Sequence, residues 1–182
     1  MFYFVNSHEN ALKLERLYAQ HRVTLFNVAY EILHDHGLAE DAVHDTFVRI
    51  MGNLHKIDES DPNKTRAFLC IICRHVSFDI YNCKIHLNTD DSIIDKIDAD
   101  ESKDPLEIVV KDEGNRKIIN YIKKLNKNYQ DVILLRYYMG FNYKEISKML
   151  HIKPATARKQ VQRAKEQLYL LLKKTHQDIT DI

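Results

Sequence analysis

The sequence of 182 residues predicts an all-α fold, two small helical domains joined by an acidic linker. Three observations lead there. Apolar residues recur at three- and four-residue spacing through both halves, and no strand-like alternation of useful length interrupts them. Four Gly and three Pro are too few turn-formers for a sandwich or barrel, whose many tight turns demand them. Charge is segregated: residues 1–85 carry 9 basic and 11 acidic side chains, residues 86–114 carry 3 and 10, and residues 115–175 carry 15 and 3. The formal net charge of +1 is therefore a cancellation. It hides an extension (1–9), a near-neutral domain (10–85), an acidic linker (86–114), a basic domain (115–175) and a tail (176–182).

Each element follows in order. From Leu12 to Leu33, Leu14, Leu17, Tyr18, Leu25, Val28 and Ile32 form one helical stripe. A second helix is predicted over Ala39–Leu54, with Ala42, Val43, Thr46, Phe47, Ile50 and Met51 inward. Glu40 and Asp41 would sit in its first turn, at the positive end of the helix dipole. After a turn-rich HKIDESDPNK comes a third helix, Thr65–Lys84, burying Phe68, Ile71, Ile72, Val76 and Ile80. Residues 86–113 have the low hydrophobicity and single-sign charge of a linker. Its Asp98, Asp100 and Asp104 are not a calcium loop, because Lys103 and Val109 stand where Gly and the bidentate Glu are required. Beyond it, helices are predicted over Asn115–Leu125, with Ile118, Ile119 and Ile122 inward, and over Tyr129–Met139, stopped by Gly140. Asn142 and Glu145 have capping-box spacing ahead of Ile146 and Leu150. A last helix starts at Lys153–Pro154 and runs through Leu172 on a stripe of Val161, Ala164, Leu168 and Leu171.

Several function classes fall away on composition. Charged residues at 29% and hydrophobic ones at 45% exclude collagen-like, disulfide-scaffold and wholly disordered chains. The apolar runs fall far short of the ~20 residues of a membrane span. The opening MFYFV is too short for a signal-peptide core, so a cytoplasmic protein without membrane insertion is expected. No P-loop, GxGxxG, HExxH or Ser-His-Asp spacing occurs, which leaves an enzymatic reading without a motif and calls for no cofactor. Cys70 and Cys73 form a CxxC with His75, Cys83 and His86 nearby, the raw material of a zinc or redox site. Both lie inside a predicted helix, however, where reduced cysteines serve as small hydrophobes, and no metal is expected.

The basic domain points to a polyanion. Three acids among fifteen bases is not the interspersed pattern of a solubilising surface, and such a field gains free energy by releasing counterions from nucleic acid. Tyr143–Lys174 reads as a helix-turn-helix, whose second helix offers its first turns to base edges in the major groove. Thr156, Arg158, Lys159, Gln162 and Arg163 are the donors placed there, while Ile146, Leu150, Ile152, Ala157 and Val161 pack the two helices. Gln suits adenine, Arg guanine and Lys a phosphate.

Two stretches also resemble one family. Residues 125–167, with Val132-Ile133-Leu134-Leu135-Arg136-Tyr137, then Tyr143, Glu145-Ile146 and Arg163-Ala164-Lys165, are similar to domain 4 of bacterial sigma factors of the extracytoplasmic-function group. LERLYAQHRVTLFNVAYEIL, AEDAVHDTFVRIMGNL and RAFLCIICRHVSFDIYNCK resemble domain 2 of the same family, so the resemblance covers about residues 10–175. It implies a subunit of RNA polymerase without catalysis of its own. Domain 2 would dock on the β′ clamp helices and open the −10 element by capturing a flipped base; domain 4 would sit on the β flap and read the −35 element. Carried onto this chain, the docking residues are Asp41, His44 and Asp45, with Phe47 inward. The −10 residues are Asn63, Lys64, Thr65, Arg66, Arg74 and His75, with Phe68 as core or as the wall of the base pocket. Promoter DNA, core polymerase and an anti-sigma factor are the implied partners.

The chain departs from the pattern at His75 (commonly Asn), at Ile80–Lys84 (commonly an Arg cluster), at His151 (often Gly) and at Lys153 (usually a Ser cap). Two other readings stand beside the sigma factor. One is a helix-turn-helix regulator that acts without being a polymerase subunit; the other is a metal- or redox-sensing protein built on Cys70, Cys73 and Cys83.

Overall fold

The computed structural model describes residues 7–87 and 116–180, all of them helix, turn or short connection, and the chain divides into two compact units on either side of Pro105. The expected acidic linker lies almost wholly outside the described residues.

The first unit packs three helices against one another: α1 (Ser7–Leu33), α2 (His36–Ile50) and α3 (Pro62–Leu87). Leu17, Leu25, Ala29, Ile50, Leu69, Ile71, Ile72 and Val76 are all 1% exposed or less and form its centre. Each fully buried Leu or Ile contributes about 1.5–3 kcal/mol of transfer free energy. Side-chain hydrogen bonds decide where these helices begin. The Asp35 carboxylate accepts from the Leu38 amide at 3.0 Å, which starts α2 at His36, ahead of the expected Ala39. Glu40 and Asp41 therefore lie beyond the first turn rather than in it. The Asp61 carboxylate likewise accepts from the Lys64 amide at 2.9 Å, so α3 starts at Pro62, where the missing N–H costs nothing. The second helix also ends early. A 3₁₀ segment, Met51–Lys56, takes over with Asn53 at φ −129°, and Met51 turns outward to 52% exposure.

Ion pairs join the pieces. Arg16 donates twice to the Glu59 carboxylate, at 3.0 and 2.8 Å, and the Lys13 ammonium donates to the Ile57 carbonyl. Arg49 at the end of α2 meets Asp79 of α3 at 2.6 Å. Cys70 and Cys73 are buried in α3 as expected of small hydrophobes. The Cys73 thiol donates to the Leu25 carbonyl at 3.3 Å, and burial pushes its pKa up to about 12. Cys83 is exposed, and ten residues of helix set it about 15 Å from Cys73 along the axis, so the three sulfurs do not converge.

The second unit holds α4 (Arg116–Ile122), α5 (Lys127–Ile133), α6 (Tyr143–Met149) and α7 (Pro154–Thr180). Ile119 and Ile122 are buried, but Ile118, expected inward, is 37% exposed at the edge of their stripe, in the first turn of a helix only seven residues long. Asn126 caps α5 by accepting from Tyr129 at 3.0 Å, and the buried Gln130 amide donates to the Leu125 carbonyl at 2.7 Å and the Lys123 carbonyl at 3.1 Å. The predicted single helix to Met139 is instead α5 followed by a wider π segment, Leu134–Tyr138, closed by Met139 N–H on the Leu134 carbonyl at 2.9 Å. Gly140 ends it at φ 77°, the left-handed geometry that glycine adopts freely. The capping box is complete: the Asn142 carboxamide accepts from Glu145 at 3.0 Å, and the Glu145 carboxylate accepts from the Asn142 amide at 2.8 Å.

Replacing Asn142 by Ala orphans the first amides of α6. We expect a loss of about 1 kcal/mol, read as a lower urea midpoint of the full chain.

Candidate nucleic-acid interface

The turn between α6 and α7 is built by its own side chains. His151 takes a left-handed conformation at φ 53°, the position where the resembled family often has Gly. Across it the Ile152 amide donates to the Ser147 carbonyl at 3.1 Å, and the Ser147 hydroxyl donates to the Ile152 carbonyl at 2.7 Å. The first of these is the six-to-one bond of a Schellman end. The second is an extra tie that offsets the cost of a non-glycine residue there.

The turn aims α7. Ala157, Val161 and Ala164 are buried against the rest of the unit, which leaves Thr156, Arg158, Lys159, Gln162 and Arg163 all exposed on the outer side. The five expected donors therefore share one accessible surface on the first three turns. The Gln162 amide already donates to Glu166 at 2.9 Å, so it must leave that carboxylate before it can read a base. Tyr143 is a residue that sequence reasoning did not assign. Its half-buried ring has the Arg136 guanidinium 4.9 Å and the Arg158 guanidinium 5.6 Å from its centre. Arg136 is itself fixed by donating to the Phe141 carbonyl at 3.0 Å. Only the fold brings these three residues together.

In the first unit, the segment expected to reach the −10 element is a compact turn. Asp58 accepts from the Ser60 amide at 2.9 Å and the Ser60 hydroxyl at 2.6 Å, bonds that hold its carboxyl below the usual range. Thr65 is 4% exposed and spends its hydroxyl on the Asp58 carbonyl at 2.9 Å, so it holds the turn in place. Asn63, Lys64 and Arg66 are half-buried beside it. Arg74 and His75 stand more than two helical turns further along α3; His75 is half-buried and Arg74 is 8% exposed, inside the bundle. Phe68 is core, at 2%.

The outer side of α2 carries the expected docking residues. Asp41, His44 and Asp45 are exposed, with the His44 imidazole 3.6 Å from the Asp45 carboxylate. Beside them runs a groove of about 320 Å³ whose lining includes Leu14 and Tyr18 of α1 and His44, Phe47, Val48 and Met51. Tyr18 at 45%, Val48 at 48% and Met51 at 52% leave it open, whereas Tyr18 and Met51 had the spacing of inward residues. Phe47 is buried as expected and meets the Tyr18 ring edge-on at 5.2 Å.

Comparison with known proteins places this arrangement. The family model described as Sigma-70 region 2 matches residues 17–83, and that described as Sigma-70, region 4 matches residues 115–168. The ECF RNA polymerase sigma factor SigM of Bacillus subtilis (strain 168) is 24% identical over 161 residues, 88% of this chain and 95% of SigM. The corresponding SigX of the same strain is 24% identical over 140 residues, 74% of this chain and 70% of SigX. The co-crystal structure of the sigma factor RpoE with the anti-sigma factor NepR from Bartonella quintana is 20% identical, covering 91% of this chain and 94% of that one at a TM-score of 0.37. The chain belongs to the sigma-70 family, with regions 2 and 4 in the order in which its two helical units occur. Within that family it is an alternative sigma factor of the extracytoplasmic-function group, a regulatory subunit that directs transcription initiation.

His21 of α1 supplies a pH dependence. It is 5% exposed, and neither its Nε2 nor the Arg66 Nε has a hydrogen-bond partner among the described residues. Burial, then the positive charge of Arg66, pushes the imidazole below its ordinary pKa of 6.5. The unfolded chain therefore takes up the proton more readily than the fold, and the stabilisation present above pH 6.5 is lost as pH falls. The urea midpoint should drop on acidification below that value, and drop less in His21→Gln.

Proposed function

We propose that the chain binds core RNA polymerase through the outer side of α2 and reads the −35 element with α7, while the Asp58–Arg66 turn engages the −10 element. One observation carries the −35 assignment: the five donors Thr156, Arg158, Lys159, Gln162 and Arg163 are exposed together over a buried Ala157–Val161–Ala164 stripe. The surrounding residues 115–175 hold fifteen basic side chains against three acidic ones, a field that draws in phosphates. Asn63, Lys64, Arg66 and His75 are the proposed −10 contacts, with Thr65 supporting their turn and Arg74 supporting α3 from within.

Asp41, His44 and Asp45 supply the polar side of the polymerase contact, and the groove beside them supplies apolar area of the kind that anchors interfaces. An anti-sigma factor would hold the chain inactive by covering the same groove. The working compartment is the cytoplasm, where polymerase and promoter are found.

The decisive experiment mixes the purified chain with core polymerase and promoter templates. A promoter-specific transcript that needs only core enzyme supports the proposal; tight, specific DNA binding by the chain alone supports an ordinary helix-turn-helix regulator. Arg163→Ala and Lys159→Ala should each weaken −35-dependent initiation about fivefold or more, since one base or phosphate contact contributes about 1–3 kcal/mol. Met51→Glu, which places a charge in the open groove, should weaken co-purification with core polymerase at least about tenfold while leaving the urea midpoint near wild type.

A further inference from the structure

We infer that Tyr143 is a positioning residue for promoter recognition, because the Arg158 guanidinium lies over its ring, 5.6 Å from the centre, on the reading surface of α7. The inference rests on the proposal that α7 faces the −35 element. Tyr143 is the first residue of α6 and Arg158 the fifth of α7, so the contact exists only because the Leu150–Lys153 turn folds one helix over the other.

An exposed arginine on a helix surface samples many rotamers, and freezing it on binding costs conformational entropy that weakens the complex. Stacking on an aromatic ring removes part of that freedom beforehand. A guanidinium also uses different parts of itself for the two tasks. When its flat face rests on a ring, its N–H groups stay in the plane, available for the paired hydrogen bonds that guanine or a phosphate accepts. A lysine ammonium has no such plane.

The second cation sharpens the assignment. Arg136 lies at 4.9 Å from the same ring and is anchored by its hydrogen bond to the Phe141 carbonyl. Arg158, at 5.6 Å and exposed, is the one of the two placed on the accessible side of α7. The π segment that carries Arg136, the capped start of α6 and the reading surface of α7 thus meet at one aromatic ring.

The test is a double-mutant cycle in the full chain, reconstituted with core polymerase and scored as transcription from a −35-dependent promoter. Arg158→Ala should weaken initiation. Tyr143→Phe, which keeps the ring, should stay within about twofold of wild type. Tyr143→Leu should lose about two- to fivefold, the range of an exposed cation–π contact, and should lose nothing further in the Arg158→Ala background. An equal loss in both backgrounds, or a loss in Tyr143→Phe matching that in Tyr143→Leu, overturns the inference while leaving α7 as the reader. A wild-type response from Arg158→Ala overturns the inference alone, whereas wild-type responses from Arg158→Ala, Lys159→Ala and Arg163→Ala together overturn the reading beneath it. If Tyr143→Leu fails to fold, Tyr143→Met takes its place in the cycle: a loss that vanishes in the Arg158→Ala background supports the inference, and an equal loss in both backgrounds overturns it.

Discussion

The pair of hydrogen bonds exchanged by Ser147 and Ile152 is the contact on which the DNA-facing half of the molecule depends. It closes a turn in which His151 must adopt a left-handed backbone, and it fixes the direction in which α7 leaves α6. The burial of Ala157, Val161 and Ala164 follows from that direction, and so does the exposure of the basic residues between them. A chain with four glycines has few residues that accept such a backbone readily, and elsewhere it relies on side chains to start its helices: Asp35, Asp61, Asn126 and Asn142 each accept an amide at a helix start.

The charge distribution divides labour along the chain. The near-neutral first unit offers an apolar groove, a surface suited to protein, whereas the basic second unit offers donors suited to phosphates and base edges. A groove lined by Leu14, Tyr18, Phe47, Val48 and Met51, with His44 at its side, offers the kind of apolar contact that a protein partner desolvates. The buried stripe Ala39, Ala42, Val43, Thr46, Phe47 and Ile50 leaves Asp41, His44 and Asp45 on the exposed side of α2, and Arg49–Asp79 ties the end of that helix to α3.

How much of this was legible follows from what kind of signal each residue carries. Helix interiors were readable because buried positions repeat with the helical period, as Leu17, Leu25, Ile50 and Val76 do. The outer surface of α7 was readable for the same reason, since small apolar residues at 157, 161 and 164 mark the inside and so the outside. Edges of a stripe were not. Tyr18 and Met51 have the right spacing to be buried, but α1 and α2 leave an open groove between them, and only packing decides that. Helix starts shifted by a few residues because caps at Asp35 and Asp61 compete with periodicity. The roles of Ser147, Tyr143 and His21 were invisible because each depends on a partner that only the fold brings close: Ile152, Arg158 and Arg66.

The placement of the three cysteines has a practical consequence for studying the protein in motion. Cys70 and Cys73 are sealed in the bundle, and burial pushes the Cys73 thiol pKa up to about 12, so neither side chain is accessible to an electrophile in neutral buffer. Cys83 is the exposed one, near the end of α3. The natural chain therefore accepts a maleimide dye at a single defined address without any cysteine being engineered in or out, and assembly with polymerase can be followed by the light that dye emits.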